Sequence, residues 1–296
     1  MSVSESILKK IVDDLNSSLM RSGIMYRIFY RAKSVQSIDK KMAAKAVDYR
    51  KNNKKMQDFL ALRITLYFAD DVKVVYQYLR GQSNFESESI DFPEVDKFCP
   101  SRLNLVMKVP ESLGKDMKGI INDTRYPDLI DDTYEIQIRT ILSEGWHEVE
   151  HDLRYKCQAD WEDHKDESRL LNGIFASLES NEWSMLTLFD KLSYSNYKQS
   201  KWDSMLRNKL RIHFVDESLS REIKNYLSDN SRVAKKIFKA NRSEILERVL
   251  CEGFTSPLTY DTVLHLINHI EVKDKGMAKM EDPTLKEELD ALYGEL

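Results

Sequence analysis

The change of period between Tyr134 and Cys157 constrains the fold more than any other feature of the sequence. From Tyr134 to Thr140, the apolar Tyr134, Ile136 and Ile138 alternate with Glu135, Gln137 and Arg139, the two-residue period of a half-buried strand. From Ile141 the period lengthens. Leu142, Trp146, Val149 and Leu153 recur at helical spacing opposite a polar stripe of His147, Glu150, His151 and Arg154, which predicts a helix to about Cys157.

The rest of the chain reads the same way. Ile7, Leu8, Ile11, Val12, Leu15 and Leu19 mark an amphipathic opening helix, and a basic helical stretch runs from about Ser37 to Met56. Alternation from Leu60 to Phe68 predicts a strand, Asp71 to Arg80 a helix, Gly81 to Pro100 mainly loop, and Leu103 to Val109 another strand. From Ser168 onward nearly everything reads as helix. With only 9 Gly and 6 Pro, long helices are favoured over a β-sandwich. The expectation is an α+β protein: a mixed β-sheet core with N-terminal helices over residues 1–160, and a helical C-terminal region over 161–296 packed on it.

Composition narrows the function. Hydrophobic residues make up 42% and charged residues 32%, and 45 Lys and Arg stand against 49 Asp and Glu for a net charge of −4. That balance lacks the global basic excess of a protein that coats nucleic acid or an anionic membrane. Cys99, Cys157 and Cys251 form no Cys-x-x-Cys pair, so zinc ribbons and disulfide scaffolds are excluded and a reducing compartment suits the chain. Residues 1–15 lack the apolar core of a signal peptide, and charges interrupt every apolar run before it reaches membrane-spanning length. A cytoplasmic location and no membrane partner are expected.

Four constellations carry chemistry. Glu135, Gln137 and Arg139 share one strand face, so Glu135 can bind a metal or take a proton while Arg139 holds a phosphate; the plain alternative is a half-exposed face with Glu–Arg pairing. Asp58 and Arg63 enter the first of the strands above, where a carboxylate can join Glu135 on a hard cation such as Mg²⁺; taken alone, Asp58 reads first as an ordinary loop acid. Arg31, Lys33 and Ser37, with Lys40, Lys41 and Lys45 following, suit a triphosphate or form a solvated helix face. His147, Glu148 and His151 fit His-Glu-x-x-His literally, which would make a zinc metalloprotease, although the pattern is weak without its structural context.

Taken together, these residues resemble the synthetase domain of the RelA/SpoT family. Tyr134 to Lys156 is similar to the family's Glu-x-Gln-x-Arg-Thr strand and the helix after it, with Glu150 and His151 at the family's own Glu-His. Arg31, Lys33, Ser37 and Lys41 match the spacing of its ATP site, and Asp58 and Arg63 match Asp-x-x-Gly-x-Arg with Ala61 in place of Gly. The similarity covers roughly residues 26 to 157. It departs between Phe98 and Asn104: Pro100 falls near the position of a Tyr that stacks on the acceptor guanine, and Asn104 near a His. The resemblance implies a nucleotidyltransferase-like fold and Mg²⁺-dependent transfer of pyrophosphate from ATP to the 3′-hydroxyl of an acceptor nucleotide, as in alarmone synthesis of (p)ppGpp or an adenine analogue. Asp58 and Glu135 would hold Mg²⁺, with Glu135 also drawing the proton. Arg31, Lys33, Ser37 and Lys41 would bind ATP. Arg63 and Arg139 would steady phosphates, and Arg102, Asn104, Gln137 and Arg139 would meet the acceptor. The partners are then ATP and either a free nucleotide or, in toxin-like relatives, a tRNA 3′ end reached through a patch such as Lys51, Lys54 and Lys55. A catalytically inactive nucleotide sensor is the alternative of another class, and homo-oligomerisation stays open.

Overall fold

The computed structural model describes residues 2–91 and 103–296. By its internal contacts the chain divides into two compact units: Met1–Asn16, Tyr26–Tyr67 and Leu79–Ser180 in one, and Ser17–Met25, Phe68–Tyr78 and Asn181–Leu296 in the other. The units are therefore not consecutive stretches of sequence.

The first unit holds a five-stranded mixed sheet of order β1-β2-β5-β4-β3, with β1 Tyr26–Ala32, β2 Leu60–Leu66, β3 Phe85–Ile90, β4 Leu103–Lys108 and β5 Thr133–Thr140. Only β2 and β5 run parallel; every other pairing is antiparallel. The inner strands bury alternate side chains: Leu60, Leu62 and Ile64 of β2, Ile136 and Ile138 of β5, and Leu105 and Met107 of β4 are each at most 3% exposed. Helix α1 (Val3–Arg21) buries Ile7, Leu8, Ile11, Val12 and Leu15, the stripe its spacing predicts. Helix α2 (Val35–Lys51) connects β1 to β2, and Ser34 caps its first turn by accepting from the Ser37 N–H. Helix α4 (Glu111–Asn122) buries Leu113, Met117 and Ile121, four residues apart.

Two strands differ from the sequence reading. β1 lies where only a cation cluster was read, and β3 lies inside the stretch read as loop. Both are sheet edges, so neither carries the clean alternation that betrays a half-buried strand. Helix α5 (Ile141–Glu150) begins on a capping box between Thr140 and Ser143 and continues as a π-helical turn, His151–Tyr155. Trp146 is buried as its stripe predicts, whereas Val149 and Leu153 are exposed.

The second unit is helical throughout and includes residues 70–78 of α3 (Asp70–Arg80), residues 181–198 of α6 (Lys165–Lys198) and the short α12 (Lys275–Ala278). Its helices α7 Trp202–Leu210, α8 Arg221–Asp229, α9 Ser231–Lys239, α10 Arg242–Cys251, α11 Tyr260–Ile267 and α13 Pro283–Tyr293 bury Leu206, Leu227, Ile237, Leu246, Leu264 and Leu289 almost completely. Gly23 sits here at φ +68°, where a Cβ would fall 2.9 Å from the His213 carbonyl oxygen, so both conformation and space require glycine. Trp202 is buried, whereas Trp183 is 62% exposed. No described helix is long and apolar enough to cross a membrane.

Candidate functional site

Strand register explains why the charged residues meet. Arg31 of β1 pairs with Ala61 of β2, which pairs with Glu135 of β5, itself opposite Val106 of β4. The next row holds Phe29, Arg63, Gln137 and Asn104, and the one after it Arg27, Thr65 and Arg139. Because partners in register point the same way, all these side chains belong to one polar face. Asn104 thus shares a row with Gln137 and Arg63. Arg102 lies outside the described residues.

At the start of β2 and β5 this face opens into a cleft of about 1040 Å³, whose walls include Lys41, Lys45, Tyr49, Asp58, Asp131 and Glu135. Asp58 precedes β2 and is gripped from both sides: Lys41 Nζ lies 2.8 Å from its Oδ1 and Lys33 Nζ 3.1 Å from its Oδ2. Burial alone would raise the Asp58 pKa and is the largest single influence, but the two ammonium groups together outweigh it and hold the carboxyl below its usual value. Lys33 is fixed in turn by its own backbone N–H, which donates to the Phe59 carbonyl at 2.9 Å. Ser37 stands in the first turn of α2, its hydroxyl 2.9 Å from that of Ser34, at a helix N-terminus where backbone N–H groups favour anions. Arg31 and Ser37 are exposed near the cleft-forming elements but are not among its lining residues.

A second cluster continues from Glu135. Gln137 Nε2 donates to Glu135 Oε1 at 2.7 Å, and Gln137 Oε1 accepts from Arg63 Nε at 3.1 Å. The Arg63 guanidinium also donates to Glu144 and Glu148 of α5, and Arg139 Nη1 donates to Glu144 Oε2 at 3.0 Å. The two arginines assigned to phosphate therefore already face carboxylates. Glu144 is a site residue that the sequence alone does not single out: the Thr140–Ser143 capping box starts α5 directly after Arg139, and the packing of that helix turns its first-turn acid over the strand.

The His-Glu-x-x-His residues go to separate surroundings. Glu148 is taken by Arg63, His151 Nδ1 lies 2.9 Å from Asp152 Oδ1, and the His147 ring packs near Trp146 and Phe175. Burial, then Arg139 and Arg63, push the His147 imidazole down to about 4 against the opposing pull of Glu148, so it is neutral at pH 7. Among the described residues no set of three His, Cys, Asp or Glu side chains is placed to hold a metal ion. Asp58 and Glu135, two of the four carboxylates on the cleft wall, would be oxygen donors of the kind Mg²⁺ takes, together with waters and a substrate's phosphates.

Residues 30–160 match the family described as "Region found in RelA / SpoT proteins". No curated protein matches the chain. Among solved structures it is similar to small alarmone synthetase 1 from Bacillus subtilis (22% identity over 62% of this chain and 92% of that one, TM-score 0.44) and to small alarmone synthetase 2 from the same organism (22%, 62% and 94%, TM-score 0.45). It is also similar to a GTP pyrophosphokinase family protein from Streptococcus pneumoniae (22%, 62% and 87%, TM-score 0.44). The paired lysines on Asp58 and the Glu135–Gln137–Arg63 chain thus fall within the segment that matches this family.

Proposed function

We propose that the chain transfers pyrophosphate from ATP to the 3′-hydroxyl of an acceptor nucleotide. The observation that carries this reading is the opening of Asp58 and Glu135 into one cleft beside Lys41, within a RelA/SpoT region. The chemistry resides in residues 1–160, and residues 161–296 form a helical region with a separate role.

In this reading the 3′-oxygen of the acceptor attacks the β-phosphorus of ATP. The bond from that phosphorus to the oxygen bridging it to the α-phosphate breaks, and AMP leaves. The hydroxyl proton passes to Glu135, which the Gln137 amide holds in place by its 2.7 Å hydrogen bond. Lys33 and Lys41, the two ammonium groups on Asp58, would align the phosphates, and the exposed Arg31 guanidinium would meet the adenine. Transfer of this kind depends mainly on alignment and charge stabilisation. Asp58 and Glu135 would hold Mg²⁺, which would offset charge on the phosphates. The cleft's own balance supports that requirement: Lys41, Lys45, Lys54 and Lys55 are matched by Asp48, Asp58, Asp131 and Glu135, leaving no net positive charge for a triphosphate.

The test is incubation with γ-labelled ATP, Mg²⁺ and GDP, GTP, ADP, ATP or deacylated tRNA as acceptor. Label should move to an acceptor with release of AMP, and Glu135→Gln should abolish it. A wild-type protein that binds ATP but labels none of the five would instead support a nucleotide sensor.

A further inference from the structure

The cleft extends beyond the residues assigned to ATP. Lys41, Lys45 and Tyr49 lie four residues apart and so form one face of α2, and that face is a cleft wall. After the helix, Asn53 at φ +49° turns the chain back, a conformation Asn tolerates. The turn is tied down: the Lys54 N–H donates to the Tyr49 carbonyl at 2.8 Å, the Met56 N–H to the Leu129 carbonyl at 2.7 Å, and the Asp131 N–H to the Met56 carbonyl at 3.0 Å. Lys54 and Lys55 are thereby fixed in the same cleft as Tyr49.

Tyr49 is the one aromatic ring among the described lining residues. It is half-buried and stands about two helical turns along α2 from Lys41, whose ammonium grips Asp58 in the same cleft. Around it, Lys45, Lys54 and Lys55 are exposed, and none forms an ion pair with another described residue within 4.0 Å. An aromatic face edged by uncommitted cations has the chemistry to receive a base and its phosphates.

We propose that Tyr49, with Lys45, Lys54 and Lys55 around it, is the subsite for the acceptor's terminal nucleotide, its base stacked on the ring and its phosphates on the lysines. This rests on the transfer reading above. The experiment measures transfer and calorimetric binding for wild type, Tyr49→Ala, Tyr49→Phe and the double variant Lys54→Gln/Lys55→Gln. With the acceptor that wild type uses, Tyr49→Ala should raise the acceptor KM about tenfold or more and leave the KM for ATP within about twofold, while Tyr49→Phe restores it. The double variant should raise the same KM. Mononucleotide and tRNA arms separate a free nucleotide from a polymer end. An unchanged acceptor KM in Tyr49→Ala, or a shift confined to ATP, overturns the proposal while the transfer reading stands. If wild type transfers to no acceptor, that reading fails by itself and binding decides the subsite. Weaker GDP or ADP binding in Tyr49→Ala, restored in Tyr49→Phe, supports it; equal binding, or none by wild type, overturns it.

Discussion

Each unit of the molecule contains a knot of opposite charges, and the two behave oppositely. In the cleft, Asp58 is held by Lys33 and Lys41, and the three side chains keep 18–28% of their surface exposed. In the helical unit, Asp71 is fully buried and pairs at 2.6 Å with Arg242, which also reaches Asp70, while Arg211 holds Asp70 at 2.5 Å. Burial is the largest influence on both Asp58 and Asp71. At Asp58 the lysines overcome it and the pKa falls; at Asp71 it wins over Arg242 and the pKa rises. Solvent access thus separates a pair open to an incoming phosphate from the sealed Asp71–Arg242 pair, beside which Asp70 keeps exposed surface. The first is suited to ligand binding, and the second ties α3 to α7 and α10 within its unit.

The sharpest way to break this contrast begins in the cleft. Glu135→Gln should lower the rate of transfer by roughly 100- to 10,000-fold, the scale of a lost general base, without moving the urea unfolding midpoint. Next comes the dry knot. Arg242→Met leaves Asp71 buried without its partner and should cost about 3–5 kcal/mol of stability, read from the same urea titration. Lys41→Met is the direct counterpart. It should slow transfer about 100-fold yet shift stability by no more than about 1 kcal/mol, because a half-exposed pair is screened by water. Equal stability losses in Arg242→Met and Lys41→Met would erase the distinction.

How much of this could be read from sequence follows the same physics of burial. Strands β2, β4 and β5 were legible because one face of each is buried, which writes alternation into Leu60–Leu66, Leu103–Lys108 and Thr133–Thr140. The edge strands β1 and β3 were not. Phe29 and Tyr30 are exposed in β1, and most of β3 faces solvent, so neither sequence is constrained to alternate. Within the site, Glu135, Gln137 and Arg139 could be grouped because a single strand carries them. Lys33, Lys41 and Asp58 could be grouped only through the family resemblance, since a helix and a turn separate them. Glu144 and Tyr49 were missed for a different reason: each reaches the site from a helix whose rotation about its axis is set by tertiary packing. Without the sheet in place, no local pattern reveals which helical face looks inward.

The smallest effect expected is a pH dependence in the helical unit, where His265 and His269 sit four residues apart on Glu281, and all three side chains are at most 3% exposed. Both histidines are core residues. Burial pushes the His265 imidazole down to about 4; His269 adds to the effect and Asp261 opposes it. The unfolded chain then binds more protons at this position than the folded one between pH 6.5 and 4. Stability from neutral His265 is complete above pH 6.5 and declines as the solution is acidified through that window. Glu281 acts with the opposite sign, because burial raises its pKa and protonation there favours the folded form, so it offsets part of the histidine's contribution. The difference between proteins isolates the histidine. Relative to wild type, His265→Gln should lose less stability between pH 7 and 4.5, by up to about 1.4 kcal/mol per pH unit. Parallel urea midpoints for the two proteins across that range would show that His265 is not held neutral by its surroundings.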